Sequence, residues 1–399
     1  MWNSGGPLLN VRTLLMSGML VVAAACGQGS VTTTQPPTED GAPTEDGGSR
    51  DTPTSDEAFE FKYAGVGPEQ TIFGQVPTWY FEELEERTGG RVKVELFHGE
   101  SLIGQADILA ALEDGRADFG ALTLPFVPDR FPLWNVRSLP FVTSDGEAAM
   151  SAIRKLSLDE DGLLGAEFES NGVVPLVWLP VGNAINMTSQ PADSLEALSG
   201  LRLRSAGLVA QAVEEAGATT SLIATAEIYE SLQRGVIDGV AGYVFDTGVA
   251  LGFHEVAPAI TDPGMGQYTA SLVAMSLDAW NSLPPDIQDV MIALSEEGVG
   301  HAVGLLNENE EVACDQLQEA GGDVTLSKFS DQEVAGWQEV LGDSLTDAWL
   351  GNAVDSGVPE SEALAFLDDY VETVKDLEGD GVWVDGLARC QELIDSSGS

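Results

Sequence analysis

An α/β fold of two lobes facing each other across a central cleft is what this chain predicts, and three observations predict it. Ile108-Leu-Ala-Ala-Leu112-Glu-Asp-Gly115-Arg-Ala-Asp118 and Ile228-Tyr-Glu-Ser-Leu232-Gln-Arg-Gly235-Val-Ile-Asp238 share the pattern Leu-x-x-Gly-x-x-Asp. Each reads as a helix closed by glycine, the usual residue for the left-handed turn past a helix end, with an apolar strand opening after the aspartate. Two apolar, β-rich runs, Val173 to Met187 and Gln267 to Met275, flank the second unit and are placed to cross between lobes. Helix formers then run from Pro284 to about Ala320. A helix of that length reaches about 50 Å at 1.5 Å per residue, enough to span both lobes. The passage from helix through glycine to strand is common in α/β folds, so the repeat carries weight only beside the other two.

At the N-terminus, Arg12, an apolar run from Leu14 to Val22 and Ala23-Ala24-Ala25 precede Cys26. The run is too short to span a bilayer as a mature helix and reads as a secretory signal. A cysteine directly after small residues resembles the bacterial lipobox, which makes Cys26 the lipid-modified first residue of the mature protein; ordinary cleavage near Ala25 is the alternative. Residues 27–58, rich in Thr, Pro, Gly, Asp and Glu, bury too little apolar surface to offset their ordering entropy and read as a disordered tether. Folded structure is expected from Phe59, with a helix from Thr78 to Thr88 closed by Gly89-Gly90 and an alternating strand from Arg91 to Phe97. The chain from Ser330 onward reads as helical and acidic. Residues 59–180 and 268–310 are assigned to the first lobe, and 181–267 and 311–399 to the second.

The 65 acidic residues against 17 basic give a net charge of −48, which excludes nucleic acid and other polyanions as partners. A saline habitat would explain such acidity, because the Debye length shrinks to about 3 Å at 1 M salt. Beyond Cys26 only Cys314 and Cys390 remain; they could pair in an oxidising exterior, although sequence does not place them within bonding distance. His98, His254 and His301 show no ligand spacing, so no metal is expected. The stretch Asp376 to Gly381 starts like a calcium loop, but Leu387 stands at the twelfth place and the stretch reads as an acidic turn.

Binding chemistry concentrates at Gly200-Leu-Arg-Leu-Arg-Ser-Ala-Gly207. In a strand there, Arg202 and Arg204 share one face and Leu201 and Leu203 the other. A guanidinium at the carboxyl end of a strand, beside a helix start, suits an anion. For Arg204 the competing reading is a salt bridge to one of the many acids, and for Arg202 a solvated or paired role. Glu227 opens a helix, where capping competes with ligand contact. Phe126 and Trp134, in a proline-broken loop, would line the cleft from the first lobe or pack in its core. Gly65 to Glu69 follow the first strand, where α/β sheets open toward ligands.

Arg87-Thr-Gly-Gly-Arg-Val-Lys-Val-Glu-Leu-Phe97, Ser138-Leu-Pro-Phe-Val142, Leu198-Ser-Gly-Leu-Arg-Leu-Arg204, Ala226 to Gly239 and Trp280-Asn-Ser-Leu-Pro284 occur in this order. Together they resemble the extracytoplasmic solute receptors of tripartite ATP-independent periplasmic (TRAP) transporters, the DctP-like family, over about Tyr63 to Ala320. The resemblance implies a periplasmic-binding-protein-like type II fold whose lobes close over a small organic acid, with Arg204 gripping its carboxylate and no cofactor. It implies delivery to the small and large membrane subunits of a transporter from an extracytoplasmic position, and the lipobox-like pattern at Cys26 would hold the receptor to the membrane by a lipid. Members often carry a second arginine on the strand crossing into the second lobe, where this chain has Asn183. They often carry an Asn where this chain has Gly242, so Tyr243 or Phe245 is expected to supply apolar or stacking contact instead.

Two rival readings stand beside a transport receptor: the same fold presenting its ligand to a membrane sensor, and a secreted lipoprotein hydrolase. The hydrolase lacks support, since Gly-x-Ser-x-Gly, a phosphate loop, Gly-x-Gly-x-x-Gly and a zinc helix are absent from the sequence.

Overall fold

Alternation in Phe59-Glu-Phe-Lys-Tyr-Ala64 starts the folded chain: Phe61 and Tyr63 are buried while Glu60 and Lys62 face solvent, as a half-buried strand requires. The structure, a computed structural model, describes residues 57–159, 162–269, 271–321 and 324–397. The signal segment, Cys26 and almost all of the tether lie outside the described residues. Among the described residues no helix is long and apolar enough to cross a membrane.

Strand β1 (Phe59–Ala64) pairs in parallel with β2 (Val92–Phe97) and β3 (Phe119–Thr123), and β4 (Val173–Leu179) belongs to the same sheet. The chain then builds a second sheet from β5 (Ile185–Thr188), β6 (Arg202–Arg204), β7 (Thr219–Ser221), β8 (Gly239–Tyr243) and β9 (Ala259–Asp262). It returns to the first sheet with β10 (Ser271–Ser276), and β11 (Thr325–Lys328) completes the second. The strand orders are β2-β1-β3-β10-β4 and β11-β9-β5-β8-β6-β7. Each sheet thus receives one strand from the crossing segments, antiparallel to both its neighbours: β10 between β3 and β4, and β5 between β8 and β9.

The repeated motif fastens both lobes by one device. Gly115 and Gly235 both adopt left-handed backbone, with φ of +73° and +64°. Asp118 Oδ2 accepts the Lys62 N–H on β1 at 2.8 Å, and Asp238 Oδ2 accepts the Arg202 N–H on β6 at 2.9 Å. The aspartate N–H groups donate back to the carbonyls of Lys62 and Arg202 at 3.0 and 2.7 Å. These reciprocal bonds set the register of β3 on β1 and of β8 on β6.

The first helix runs Ile72–Arg87, earlier than its sequence predicts, and contains Pro77. An interior proline costs about 3 kcal/mol. Burial of Ile72, Val76, Tyr80, Phe81 and Leu84 on its inner face outweighs that, at about 1.5–3 kcal/mol for each large apolar side chain. The long helix, Pro285–Ala320, has 36 residues and packs on Ile72–Arg87 and β4 in the first lobe and on Phe245–Ala250 in the second. The C-terminal helices do not all belong to the second lobe, as residues 311–399 were assigned. Asp331–Leu341 and Ser344–Asp355 pack on Gly207–Glu215 of the second lobe, but Glu360–Leu377 packs on Gly146–Ser157 of the first. Cys314 of the long helix and Cys390 of the last helix, Gly386–Ser397, form a disulfide with Cα atoms 5.4 Å apart.

Candidate ligand-binding site

A cleft with about 750 Å³ of empty space, counted to its mouth, opens where the carboxyl ends of β1 and β3 face those of β6 and β8. From the first lobe, Val66, Gly67 and Pro68 follow β1, Phe73 opens the first helix, and Pro125 and Phe126 follow β3. From the second, Arg204 and Ala206 end β6, and Gly242, Tyr243 and Val244 end β8. Val181 and Tyr268 come from the crossing segments.

Arg204 is 8% exposed. Its Nε donates to the Ile223 carbonyl at 3.2 Å, and its guanidinium carbon lies 5.6 Å from the centre of the Tyr243 ring. No acidic side chain among the described residues forms an ion pair with it, and its Nη groups make no hydrogen bond there. The salt-bridge reading of Arg204 is therefore overturned. A buried cation held by one carbonyl and one ring face keeps four N–H donors for an incoming acceptor. Burial pushes the Tyr243 and Tyr268 hydroxyls up in pKa, and the charge of Arg204 opposes that shift in both.

Gly242 explains why no side chain stands at its position. Its φ is +61°, and a Cβ there would sit 2.6 Å from Val209 Cγ1 and 3.3 Å from Tyr268 Cε2. The missing side chain is the space into which the Tyr268 ring fits.

The cleft thus brings together Arg204, Tyr243, Phe126 and, from the loop Gly65 to Glu69, Val66, Gly67 and Pro68 of the residues singled out from sequence, and leaves Arg202, Asn183, Glu69, Glu227, Phe245 and Trp134 outside. Arg202 is exposed and its guanidinium binds Asp238, with Nη2 to Oδ1 at 2.6 Å. Asn183 sits in the hinge: its Nδ2 donates to Asp385 Oδ2 at 2.6 Å and its Oδ1 accepts from Gln267 Nε2 at 3.1 Å. Glu69 and Glu227 are exposed loop and helix-start acids. Phe245 is 1% exposed in the core of the second lobe, because β8 ends at Tyr243 and helix Phe245–Ala250 turns the ring inward. Trp134 is likewise core, against Phe131 and Phe168.

Gln267 also donates to the Val181 carbonyl at 3.0 Å, and the Ala184 N–H reaches the Gly266 carbonyl at 2.9 Å, so the two crossing segments are tied to each other. Buried Arg137 braces them by donating to the Thr269 carbonyl at 3.0 Å. Sequence reasoning missed Phe73, Gln105 and Tyr268 as cleft residues. Tyr268 alone had a signal, its place in the crossing run.

The family model described as DctP, bacterial extracellular solute-binding protein family 7, matches residues 64–350. The C4-dicarboxylate-binding periplasmic protein DctP of Rhodobacter capsulatus is 28% identical over 266 residues, 65% of this chain and 78% of that protein. A TRAP periplasmic solute binding protein from Desulfovibrio salexigens, solved as an open complex, matches with a TM-score of 0.69 at 26% identity, covering 80% of this chain and 97% of that one. One from Bordetella bronchiseptica, solved with (R)- and (S)-mandelate, matches with a TM-score of 0.69 at 24% identity over 80% of this chain and all of that one. With the matched segment running from the end of β1 through both lobes into the C-terminal helices, and so over more than half of the sequence, this chain belongs to the DctP family of bacterial extracellular solute-binding proteins.

Proposed function

We propose that this chain is the receptor of a TRAP transporter, capturing a small organic carboxylate between its lobes and delivering it to the small and large membrane subunits. The observation that carries the reading is Arg204, buried at the carboxyl end of β6 with no carboxylate partner among the described residues and facing a cleft between two lobes. The names of its relatives support the ligand class, since one is described as binding C4-dicarboxylates and another was solved with mandelate. The family is one of solute-binding transport proteins rather than enzymes, and it is periplasmic. The run Ala23-Ala24-Ala25-Cys26 supports anchoring of this receptor to the membrane by lipid.

Arginine alone does not bind tightly enough. Hydrogen bonds to a charged group contribute about 1.5–3 kcal/mol each, whereas micromolar affinity needs about 8 kcal/mol. The remainder comes from closure, which brings the first-lobe wall of Val66, Pro68 and Phe126 over the ligand and excludes water. A ligand that prefers the closed state shifts the population toward it, and the membrane subunits read that state. Arg204→Ala is expected to weaken carboxylate binding at least tenfold in calorimetric titration while thermal unfolding of the free protein stays cooperative. Unchanged affinity removes Arg204 from the site.

A further inference from the structure

The cleft selects a monoanion with a flat apolar body. We infer, resting on the receptor reading above, that the ligand is an aromatic monocarboxylate rather than a dicarboxylate, a sugar acid or an amino acid.

Charge is the first argument. Among the described residues that line the cleft, Arg204 is the only charged side chain; no Lys, His, Asp or Glu joins it. One guanidinium neutralises one carboxylate. A second carboxylate would be desolvated without a counter-charge, at an effective penalty of several kcal/mol. The ammonium of an amino acid would find no carboxylate to meet it.

Hydrogen-bonding capacity is the second. The Thr71 hydroxyl donates to the Pro68 carbonyl at 2.8 Å, and that of Thr247 donates to Asp246 Oδ2 at 3.3 Å. Ser271 gives its single hydrogen to the Leu122 carbonyl at 3.0 Å, so at the 3.2 Å contact with Thr123 it is Thr123 that donates. The Thr225 and Tyr243 hydroxyls pair with each other, which uses one of their two hydrogens and leaves the other. Thr71, Thr123 and Thr247 present no hydrogen to a ligand, which leaves the side chains of Gln105, Tyr268 and Thr269 and one hydroxyl of the Thr225–Tyr243 pair as neutral donors beside Arg204. A polyhydroxylated acid would exchange water for unfilled partners at each surplus hydroxyl.

Shape is the third. Phe73 and Phe126 reach the cleft from the first lobe and Tyr243 and Tyr268 from the second. Arg204 already lies over the face of Tyr243, so a carboxylate bound to its outer edge carries its attached ring in among the other aromatics. Gly242 fixes this wall, because any side chain there would strike Tyr268 and Val209.

The test is calorimetric titration of the whole chain with benzoate and (R)-mandelate against succinate, D-glucuronate and L-glutamate, repeated with Arg204→Ala and Phe126→Ala. The expected result is at least tenfold tighter binding of an aromatic acid than of any of the other three, with about a tenfold loss for it in each variant. Failure of both aromatic acids to bind overturns the inference. Equal or tighter binding of succinate, glucuronate or glutamate, lost in Arg204→Ala, also overturns it while leaving the receptor reading intact. Aromatic binding that survives Arg204→Ala unchanged sinks the receptor reading of Arg204 itself, and with it this one. The wild-type comparison decides the ligand class even where a variant fails to fold.

Discussion

Beneath the second-lobe wall of the cleft, a carboxylate is buried where its charge is unwelcome. Asp246 occupies the first turn of helix Phe245–Ala250, is 3% exposed, and has no hydrogen-bond partner for Oδ1. Burial raises its pKa from an ordinary 3.8 to about 6, against the opposing pull of the Thr247 N–H and hydroxyl. Glu310 of the long helix is pushed up too, by its own burial and then by the charges of Asp246 and Asp385. Between pH 3.8 and about 6 the folded chain holds a proton on Asp246 that the unfolded chain has released. Stability therefore falls as pH rises through that window and does not recover above it. The shift corresponds to about 3 kcal/mol at 1.36 kcal/mol per unit. Asp246→Asn, which has no charge to bury and keeps an acceptor for Thr247, is expected to exceed the wild type by about 3 kcal/mol near pH 8 and by nothing near pH 3.5. Urea unfolding followed by tryptophan fluorescence across that range measures the difference. A gap that does not change with pH, or a variant weaker than wild type near pH 8, refutes the argument.

Three other perturbations separate parts of the structure. The disulfide closes a separation of 76 residues, so Cys390→Ser should lose about 4.5 kcal/mol of stability by the chain-entropy relation, read from urea midpoints with and without reductant. Gly242→Ala forces a Cβ onto left-handed backbone and against Val209, and should cost more than about 1 kcal/mol while weakening ligand binding through displacement of Tyr268. Asp118→Ala and Asp238→Ala each remove a carboxylate that accepts a strand N–H, so both should destabilise by about 1.5–3 kcal/mol in denaturant titration. The extra pair with Arg202 is exposed and screened by solvent, so it adds little to the second of these.

The lobes were legible because their signals are local. A glycine at φ +73° or +64° ends each helix within one short window, whereas the strand N–H that each aspartate then accepts lies 56 or 36 residues earlier. The 36-residue helix followed from a long run of helix formers interrupted only by Gly298, Gly300 and Gly304. The cleft was legible at Arg204, Tyr243, Phe126 and the loop after β1, and the errors around it have a common cause. Alternation correctly separated Leu203 from the arginines, but it could not tell that Asp238 holds Arg202 at the surface. Phe245 is expected from sequence to contact the ligand, whereas a helix begins there and buries its ring in the core. Asn183 was read by position on the crossing strand, while its partners Asp385 and Gln267 lie 202 and 84 residues away. Such contacts are set by tertiary packing, which no window of sequence contains.

The shared device also shows where the lobes stop being alike. Asp118 fixes Lys62 and Asp238 fixes Arg202, so two residues further on Ala64 and Arg204 occupy matching places at the ends of β1 and β6. Only the second lobe carries charge at that place; the first answers with Val66, Pro68 and Phe126. On the receptor reading proposed above, an anion has its charge anchored by one lobe and its body covered by the other. Because the charge is the same for every monocarboxylate, discrimination among them falls to the apolar first-lobe wall and to how far the hinge, tied through Asn183 and Gln267, lets that wall descend.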